Sequence, residues 1–210
     1  MMNVLVYGDS NTWGDLPCYS SRIALKKRWT YKLEKKLKRK WNLYVDALPG
    51  RLAGEGCEEE KFKWGKIVFE SVMRVNGPFD IVIIFLGTND LMPKWKKKSK
   101  DIINDLKWYS EVFDNYYLND DRCKKYLNNK KPMVLYILPP KMYLSECTKK
   151  ENEKISKKRK DIIEYFSKSN YNVVINDEVS VVEDGIHLSE IGNEEVYKKV
   201  YDYINVNKLF

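Results

Sequence analysis

The most continuous apolar run in the chain lies in residues 79–86 and reads Ile-Val-Ile-Ile-Phe-Leu over residues 81–86. It ends at Gly87, where the sequence becomes polar. A short run with apolar residues on both faces is typical of a central strand in a parallel sheet. This segment therefore favours an α/β fold.

Four other short apolar segments are also predicted to be strands, at residues 3–7, 42–48, 133–138 and 171–175. Amphipathic helices are predicted at residues 28–40, 61–75, 101–118, 151–169 and 189–205. Strands that alternate with helices predict a parallel sheet covered by helices on both faces, with right-handed connections. A length of 210 residues suits one domain, which we expect to span residues 1–210.

The helical period assigns the residues that should face the core. The first helix carries an apolar stripe that repeats every four residues: Trp29, Leu33, Leu37 and Trp41. The residues predicted to face inward from the second helix are Phe62, Ile67, Phe69, Val72 and Met73. Those predicted to face inward from the last helix are Ile191, Val196, Val200, Tyr203 and Ile204. The polar segment 119–131 is predicted to be a surface connection or a frayed helix end.

The net charge is +8, from 38 Lys and Arg residues against 30 Asp and Glu residues. Such a charge is compatible with a nucleic acid or another acidic partner. However, the lysines are spread along the chain among Glu, Asp and Asn residues, which is typical of solvated helix faces. We therefore expect no nucleic-acid partner. The densest lysine run, residues 94–100, is predicted to be a loop that leads into a helix.

Several classes of protein are disfavoured. The hydrophobic content of 43% argues against disorder, and no run of 18 apolar residues predicts a membrane span. The start of the chain shows no secretion signal, so a cytoplasmic location is expected. The chain has one histidine and no Cys-x-x-Cys pair, which makes a zinc site unexpected. We expect free thiols at four cysteines: Cys18, Cys57, Cys123 and Cys147. A homo-oligomer is left open.

Polar residues of catalytic type follow the ends of the predicted strands. The first strand runs into Gly8-Asp9-Ser10, a glycine turn that would deliver Ser10 to the carboxyl edge of the sheet, where ligands bind. A serine hydroxyl needs a base to become a nucleophile. His187 is the sole histidine, and Asp184 precedes it by three residues. This spacing predicts Ser10 as nucleophile, His187 as base and Asp184 as the acid that orients the ring.

Donors for an oxyanion are also present. Asn89, in the string Gly-Thr-Asn-Asp after the third strand, can donate a side-chain N–H, and the backbone N–H groups of Gly50 and Ser10 are the other natural donors. Each motif alone has a simpler structural explanation, such as a helix cap, a packed histidine or an Asx turn. Their joint occurrence beyond predicted strand ends favours an active site.

These motifs resemble the SGNH hydrolases, also called the GDSL family of esterases and lipases. Residues 8–10 match the first block of the family, Gly50 the second-block glycine, residues 87–90 the third block and residues 184–187 the fifth. The longer strings at residues 8–14, 48–51 and 86–90, with prolines at 139 and 140, are similar to the arylesterase and acyltransferase branch.

This resemblance implies a flavodoxin-like three-layer α/β/α sandwich with strand order 2-1-3-4-5. It also implies a triad of Ser10, Asp184 and His187, and an oxyanion hole formed by Ser10, Gly50 and Asn89.

Three functions are compatible with the sequence. The main hypothesis is a serine esterase that cleaves small-molecule carboxylic esters with short acyl chains through an acyl-enzyme, without metal or organic cofactor. A second is an acyltransferase or a carbohydrate O-deacetylase with the same triad. The third is a non-catalytic protein whose basic surface binds an anionic polymer, for which salt-sensitive binding would be expected.

Overall fold

A computed structural model of the chain describes residues 1–128 and 130–209. Asn129, which belongs to the predicted connection 119–131, and Phe210 lie outside the described residues. The central sheet has five strands, and they are β1 (Met2–Gly8), β2 (Trp41–Ala47), β3 (Ile81–Phe85), β4 (Met133–Ile137) and β5 (Asn172–Val174).

The sheet is parallel throughout, and its strand order is β2-β1-β3-β4-β5. This is the order predicted by the family resemblance, so the α/β fold class is confirmed. All five residues of β3 are buried, as expected for a central strand. Residues 15–16 and 21–22 pair as a small antiparallel hairpin outside this sheet.

Helices cover both faces of the sheet. They are α1 (Ser10–Trp13), α2 (Trp29–Leu37), α3 (Gly65–Asn76), α4 (Ser99–Asn119), α5 (Asp121–Tyr126), α6 (Lys149–Lys168) and α7 (Glu190–Val206). Short 3₁₀ turns occur at Pro17–Tyr19, Leu25–Lys27, Glu58–Lys63, Asn89–Leu91 and Pro93–Trp95.

Alternating residues of the strands build two separate cores, because successive side chains of a strand point to opposite faces. On β1, Leu5 and Tyr7 pack in one core with residues of α3, α4 and α6. Val4 and Val6 pack in the other core with residues of α2 and α7. The predicted stripe lies in this second core and is buried, at Trp29, Leu33, Leu37 and Trp41. Only its first three residues belong to α2, because the helix ends at Leu37 and Trp41 is the first residue of β2. The result is the predicted three-layer sandwich.

The inward orientation predicted for Phe62 and Ile67 is wrong, since they are 62% and 46% exposed. The helix does not begin at residue 61. Residues 58–63 form a 3₁₀ turn, and α3 begins only at Gly65, whose N–H donates to the Leu52 carbonyl. Phe62 therefore lies outside α3. The inward orientation predicted for Phe69 and Met73 is confirmed, since both are fully buried. Ile67 precedes Phe69 by two residues, which rotates it by about 200° around the helix axis and away from the buried face.

The inward orientation predicted for Ile191 is also wrong, because this residue is 65% exposed. The inward face of α7 is defined by Val196, Val200 and Ile204, which repeat every four residues and are fully buried. Ile191 precedes Val196 by five residues, which rotates it by about 140° around the helix axis. It therefore lies on the opposite face.

Within the predicted connection, the described stretch 119–128 contains regular structure that was not predicted. It contains α5, whose first turn is capped by the Asp120 carboxylate through the N–H groups of Arg122 and Cys123. Cys123 and Leu127, one helical turn apart, are buried in a small cluster with Tyr117. Two apolar residues at helical spacing are enough to hold this otherwise polar stretch against the fold.

Two further observations concern the whole described chain. Within residues 1–128 and 130–209, no helix is long and apolar enough to cross a membrane. The thiols of all four cysteines are free.

Candidate active site

The strand-to-helix turn at the end of β1 holds Ser10. The carboxylate of Asp9 caps α1 by accepting a hydrogen bond from the N–H of Asn11 at 2.9 Å. A Cβ atom at Gly8 would lie 2.1 Å from the hydroxyl oxygen of Thr12, so only glycine allows this close turn. The N–H of Asp9 donates to the Phe85 carbonyl at 3.3 Å. The turn is therefore fixed to the carboxyl end of β3.

A second turn holds Asp184 and His187. Asp184 Oδ1 accepts hydrogen bonds from the backbone N–H of Ile186 at 2.8 Å and of His187 at 3.0 Å. Gly185 has φ +71°, and a Cβ atom there would lie 1.8 Å from the Tyr143 carbonyl oxygen. The Asp-Gly-x-His string therefore folds into a tight turn, and the side chains of Asp184 and His187 lie on the same side of it.

The three residues predicted as a triad form one hydrogen-bonded chain. His187 Nδ1 lies 2.6 Å from Asp184 Oδ2, and His187 Nε2 lies 3.0 Å from Ser10 Oγ. The acceptor-only carboxylate assigns the ring proton to Nδ1, which leaves Nε2 as the acceptor for the serine hydroxyl. Burial alone would raise the pKa of Asp184, but the hydrogen bonds from His187 and Ile186 outweigh it and lower this pKa. The carboxylate is therefore ionised.

The buried Asn11 joins the two turns. Its Oδ1 accepts from the backbone N–H of Leu188 at 2.8 Å, and its Nδ2 donates to the Ile186 carbonyl at 3.4 Å. These contacts hold the residues on either side of His187 against the residue that follows Ser10. No role for Asn11 was predicted from the sequence. The one feature of the sequence that pointed to a role is its position directly after the candidate nucleophile.

The predicted oxyanion donors lie at the same edge of the sheet. Asn89 Nδ2 donates one hydrogen bond to the Arg51 carbonyl at 3.0 Å and keeps a second N–H free to donate. The N–H of Leu48 donates to the Gly8 carbonyl, which brings the Gly50 turn next to the Ser10 turn. In the part of the chain that the structure describes, the backbone N–H groups of Ser10 and Gly50 have no acceptor.

Arg51 fixes the ends of β1 and β2 to each other. Its buried guanidinium donates to the Gly8 carbonyl at 3.1 Å and to the Asp46 carboxylate at 2.6 Å. It also lies 4.1 Å above the ring of Tyr7. Arg51 was quoted within a family motif but was given no role, because its partners lie on two different strands.

Asp90 is fully buried behind Asn89. It accepts hydrogen bonds from the N–H groups of Ala53 at 2.7 Å and Gly54 at 3.3 Å, and it forms an ion pair with Lys97 at 2.6 Å. Lys97 also contacts Asp105 at 3.0 Å. Although burial alone would lower the pKa of Lys97, these two carboxylates raise it overall.

Residues 94–100 were predicted to be a loop that leads into a helix, and α4 begins at Ser99. The burial of one lysine of this run was not predicted, since the side chain of Lys97 is only 13% exposed. Its partners lie elsewhere in the sequence, so the lysine run alone gave no sign of its burial.

Two other carboxyl groups lie near His187 and Ser10. Asp15 Oδ2 is 4.0 Å from His187 Nε2, on the side of the ring that faces Ser10. Asp9 is fully buried. Its burial raises its pKa to about 7, although the hydrogen bond from Asn11 opposes this change. Among the described residues, no group of three or more His, Cys, Asp or Glu side chains is placed to hold a metal ion.

Comparison with solved structures gives full-length similarities. The chain is similar to a carbohydrate acetylesterase family member from Sinorhizobium meliloti, with 21% identity over 98% of both chains and a TM-score of 0.78. It is similar to the M. smegmatis aryl esterase, with 21% identity over 100% of both chains and a TM-score of 0.72.

A lipase/acylhydrolase from Enterococcus faecalis has 16% identity over 99% of this chain and 97% of that chain, with a TM-score of 0.64. Comparison with protein-family models and with curated proteins gives no match. At these identities the similarities establish the fold.

Proposed function

We propose that this protein is a serine hydrolase that cleaves carboxylic esters with short acyl chains through an acyl-enzyme intermediate. The observation that carries the proposal is the continuous hydrogen-bonded chain from Asp184 through His187 to Ser10, with distances of 2.6 and 3.0 Å. The esterase and acylhydrolase names of the structural neighbours support it.

In the first half of the reaction, His187 Nε2 takes the proton of the Ser10 hydroxyl while Ser10 Oγ attacks the acyl carbon. The carbonyl oxygen becomes an oxyanion. The N–H groups of Ser10 and Gly50 and the free N–H of Asn89 are available to stabilise it, and one such donor lowers the barrier by about 3–4 kcal/mol. The ionised Asp184 stabilises the imidazolium.

In the second half, the imidazolium gives its proton to the alcohol oxygen as the ester C–O bond breaks, which leaves the acyl group on Ser10. A water molecule then gives a proton to His187 and attacks the acyl carbon. The resulting intermediate expels Ser10, which regains its proton from His187 as the carboxylic acid is released. The cycle needs only the residues named above and water.

The decisive test combines a rate with a chemical label. We expect the Ser10→Ala variant to lose at least about 10³-fold in the rate of p-nitrophenyl acetate hydrolysis. A fluorophosphonate probe should modify Ser10 of the wild-type chain and no residue of the variant. The exposed helical Ser156→Ala is the matched control and should retain activity and labelling. Equal rates for wild type and Ser10→Ala would refute the proposal.

A carbohydrate O-deacetylase is the second candidate, favoured by the similarity to a carbohydrate acetylesterase family member. The same triad would serve, with an acetylated sugar as the ester. Acetate release from a peracetylated monosaccharide, compared with that from p-nitrophenyl acetate, distinguishes the two. Product analysis with an added alcohol tests acyl transfer, in which the alcohol replaces water.

A purely non-catalytic basic binding protein is disfavoured. Such a protein has no need for an ionised carboxylate, an oriented imidazole and a serine in hydrogen-bond contact.

A further inference from the structure

A cavity of about 560 Å³ lies between the Pro93–Ser99 segment and the N-terminal half of α6. None of the residues of the proposed triad lines this cavity. Pockets of about 300–1,000 Å³ are typical of small-molecule sites. The cavity is therefore large enough for a small ligand, and the proposed ester chemistry does not use it.

Lysines dominate the lining of this cavity. Six contribute to it, and they are Lys96, Lys97, Lys98, Lys154, Lys157 and Lys158. Over residues 1–128 and 130–209, Lys97 is the one member of this set that forms a salt bridge. Five ammonium groups thus share the cavity without a carboxylate partner.

Two acidic residues of the lining offset only part of this positive charge. Asp161 accepts a hydrogen bond from the Ser99 hydroxyl at 2.7 Å. Glu151 accepts from the backbone N–H and the hydroxyl of Thr148, at 2.9 and 2.7 Å, in the cap of α6. Neither carboxylate forms a salt bridge with a lysine of the lining in the described residues, and six lysines against two acids leave the lining with an excess of positive charge.

Lys158 adds a partly buried cation to the cavity. Its ammonium donates to the backbone carbonyls of Leu91 at 3.1 Å and Lys97 at 3.3 Å. Burial and the nearby Lys154 lower the pKa of Lys158, although the charge of Asp90 opposes them. A desolvated cation that contacts only carbonyl dipoles gains stability when an anion approaches.

We propose that this lysine cavity binds a small polyanion that carries several phosphate or sulfate groups. Lysine ammonium groups bind such oxyanions as mobile point charges, and several of them around one concavity favour a multivalent anion over a single carboxylate. The concave shape and volume favour a small molecule over a nucleic-acid duplex. The site is independent of the ester chemistry proposed for Ser10.

Binding of inorganic tripolyphosphate, measured by isothermal titration calorimetry at 50 mM salt, tests the proposal. The Lys154→Gln/Lys157→Gln double variant should bind at least about tenfold more weakly, since it removes two charges that line the cavity. Both side chains are exposed on α6, so this variant should fold. The matched control is Lys124→Gln/Lys125→Gln on α5, which changes the net charge equally and should bind within about twofold of wild type.

A parallel titration with sucrose octasulfate distinguishes the two ligand chemistries. Tighter binding of tripolyphosphate assigns a phosphorylated ligand, and tighter binding of the octasulfate assigns a sulfated one. The proposal is overturned if neither probe binds the wild-type protein at millimolar concentration. It is equally overturned if both double variants lose affinity to the same extent, because the binding would then follow net charge alone.

Discussion

Two aspartates near Ser10 form turns of the same kind but differ in their ionisation. Asp9 Oδ1 accepts from the N–H two residues later, and Asp184 Oδ1 does the same. Asp184 receives two further hydrogen bonds from His187 and has a lowered pKa. Asp9 is fully buried, and its pKa is raised to about 7.

The difference shows that the turn itself does not decide the charge of an aspartate. Desolvation acts in the same direction on both groups, but Asp9 is fully buried, whereas Asp184 is only partly buried and accepts more hydrogen bonds. The Asp184 turn therefore holds a permanent negative charge beside the imidazole. The Asp9 turn caps a helix and holds a group that is half-protonated near neutral pH.

The largest effect should come from Asp184→Asn. An amide cannot stabilise the imidazolium and favours the wrong ring tautomer, so we expect kcat for p-nitrophenyl acetate to fall by about 10³–10⁴-fold. Steady-state kinetics measures this loss. The exposed Asp202→Asn on α7 is the control and should leave kcat unchanged. Wild-type activity in Asp184→Asn would remove this residue from the mechanism.

The next largest effect should come from breaking the link between the two turns. Asn11→Ala removes both contacts to the His187 segment, so the imidazole is held less firmly against Ser10. Misplacement of a catalytic group is costly, and we expect kcat to fall by about 10–100-fold with a smaller change in KM. Asn11→Asp keeps the acceptor for Leu188 and should retain more activity than Asn11→Ala. A higher activity in Asn11→Ala than in Asn11→Asp would contradict a positioning role for Asn11.

A smaller effect should appear in the pH dependence of stability. Asp9 has a raised pKa in the folded state, so its contribution to stability is present below about pH 4 and is lost as the pH rises to about 7. Asp9→Asn keeps a capping oxygen but cannot ionise. We expect the variant to gain about 2–3 kcal/mol relative to wild type as the pH rises from 5 to 8, measured by urea unfolding. A difference from wild type that stays constant with pH would be inconsistent with a raised Asp9 pKa.

The smallest effect should come from Asp15→Asn. The Asp15 carboxylate lies 4.0 Å from His187 Nε2 and favours the transient positive charge on the ring. Because both groups are partly exposed, the interaction is worth no more than about 1 kcal/mol, and kcat/KM should fall about two- to fivefold at low salt. This difference should shrink in 0.5 M NaCl, since salt screens the pair. A loss that does not change with salt would indicate a steric role instead.

The sheet and the convergence of Ser10, Asp184 and His187 could be predicted from sequence for one physical reason. Parallel strands buried on both faces leave unbroken apolar runs, and their carboxyl ends meet at one edge. Residues that follow those runs must therefore lie close together. The strand order came from the family resemblance, not from the apolar pattern.

The orientation, burial or role of several residues was not predicted correctly, because it is set by features that the periodicity of the sequence does not contain. Phe62 was misplaced because a 3₁₀ turn delays the start of α3. The burial of Lys97 depends on Asp90 in the Asn89–Leu91 turn and on Asp105 in α4. The bridging role of Asn11 depends on a turn far away in the sequence. Each of these features can be identified only from the three-dimensional structure.

The contact between His187 and Ser10 joins residues that are 177 positions apart in the chain. Contacts between such distant residues form late in folding, because the chain must first close a very long loop. The proposed nucleophile would therefore stay inactive until the C-terminal turn docks against β1. Ester hydrolysis would then report the completion of folding, and its recovery during refolding should follow the slowest step of the sheet's assembly.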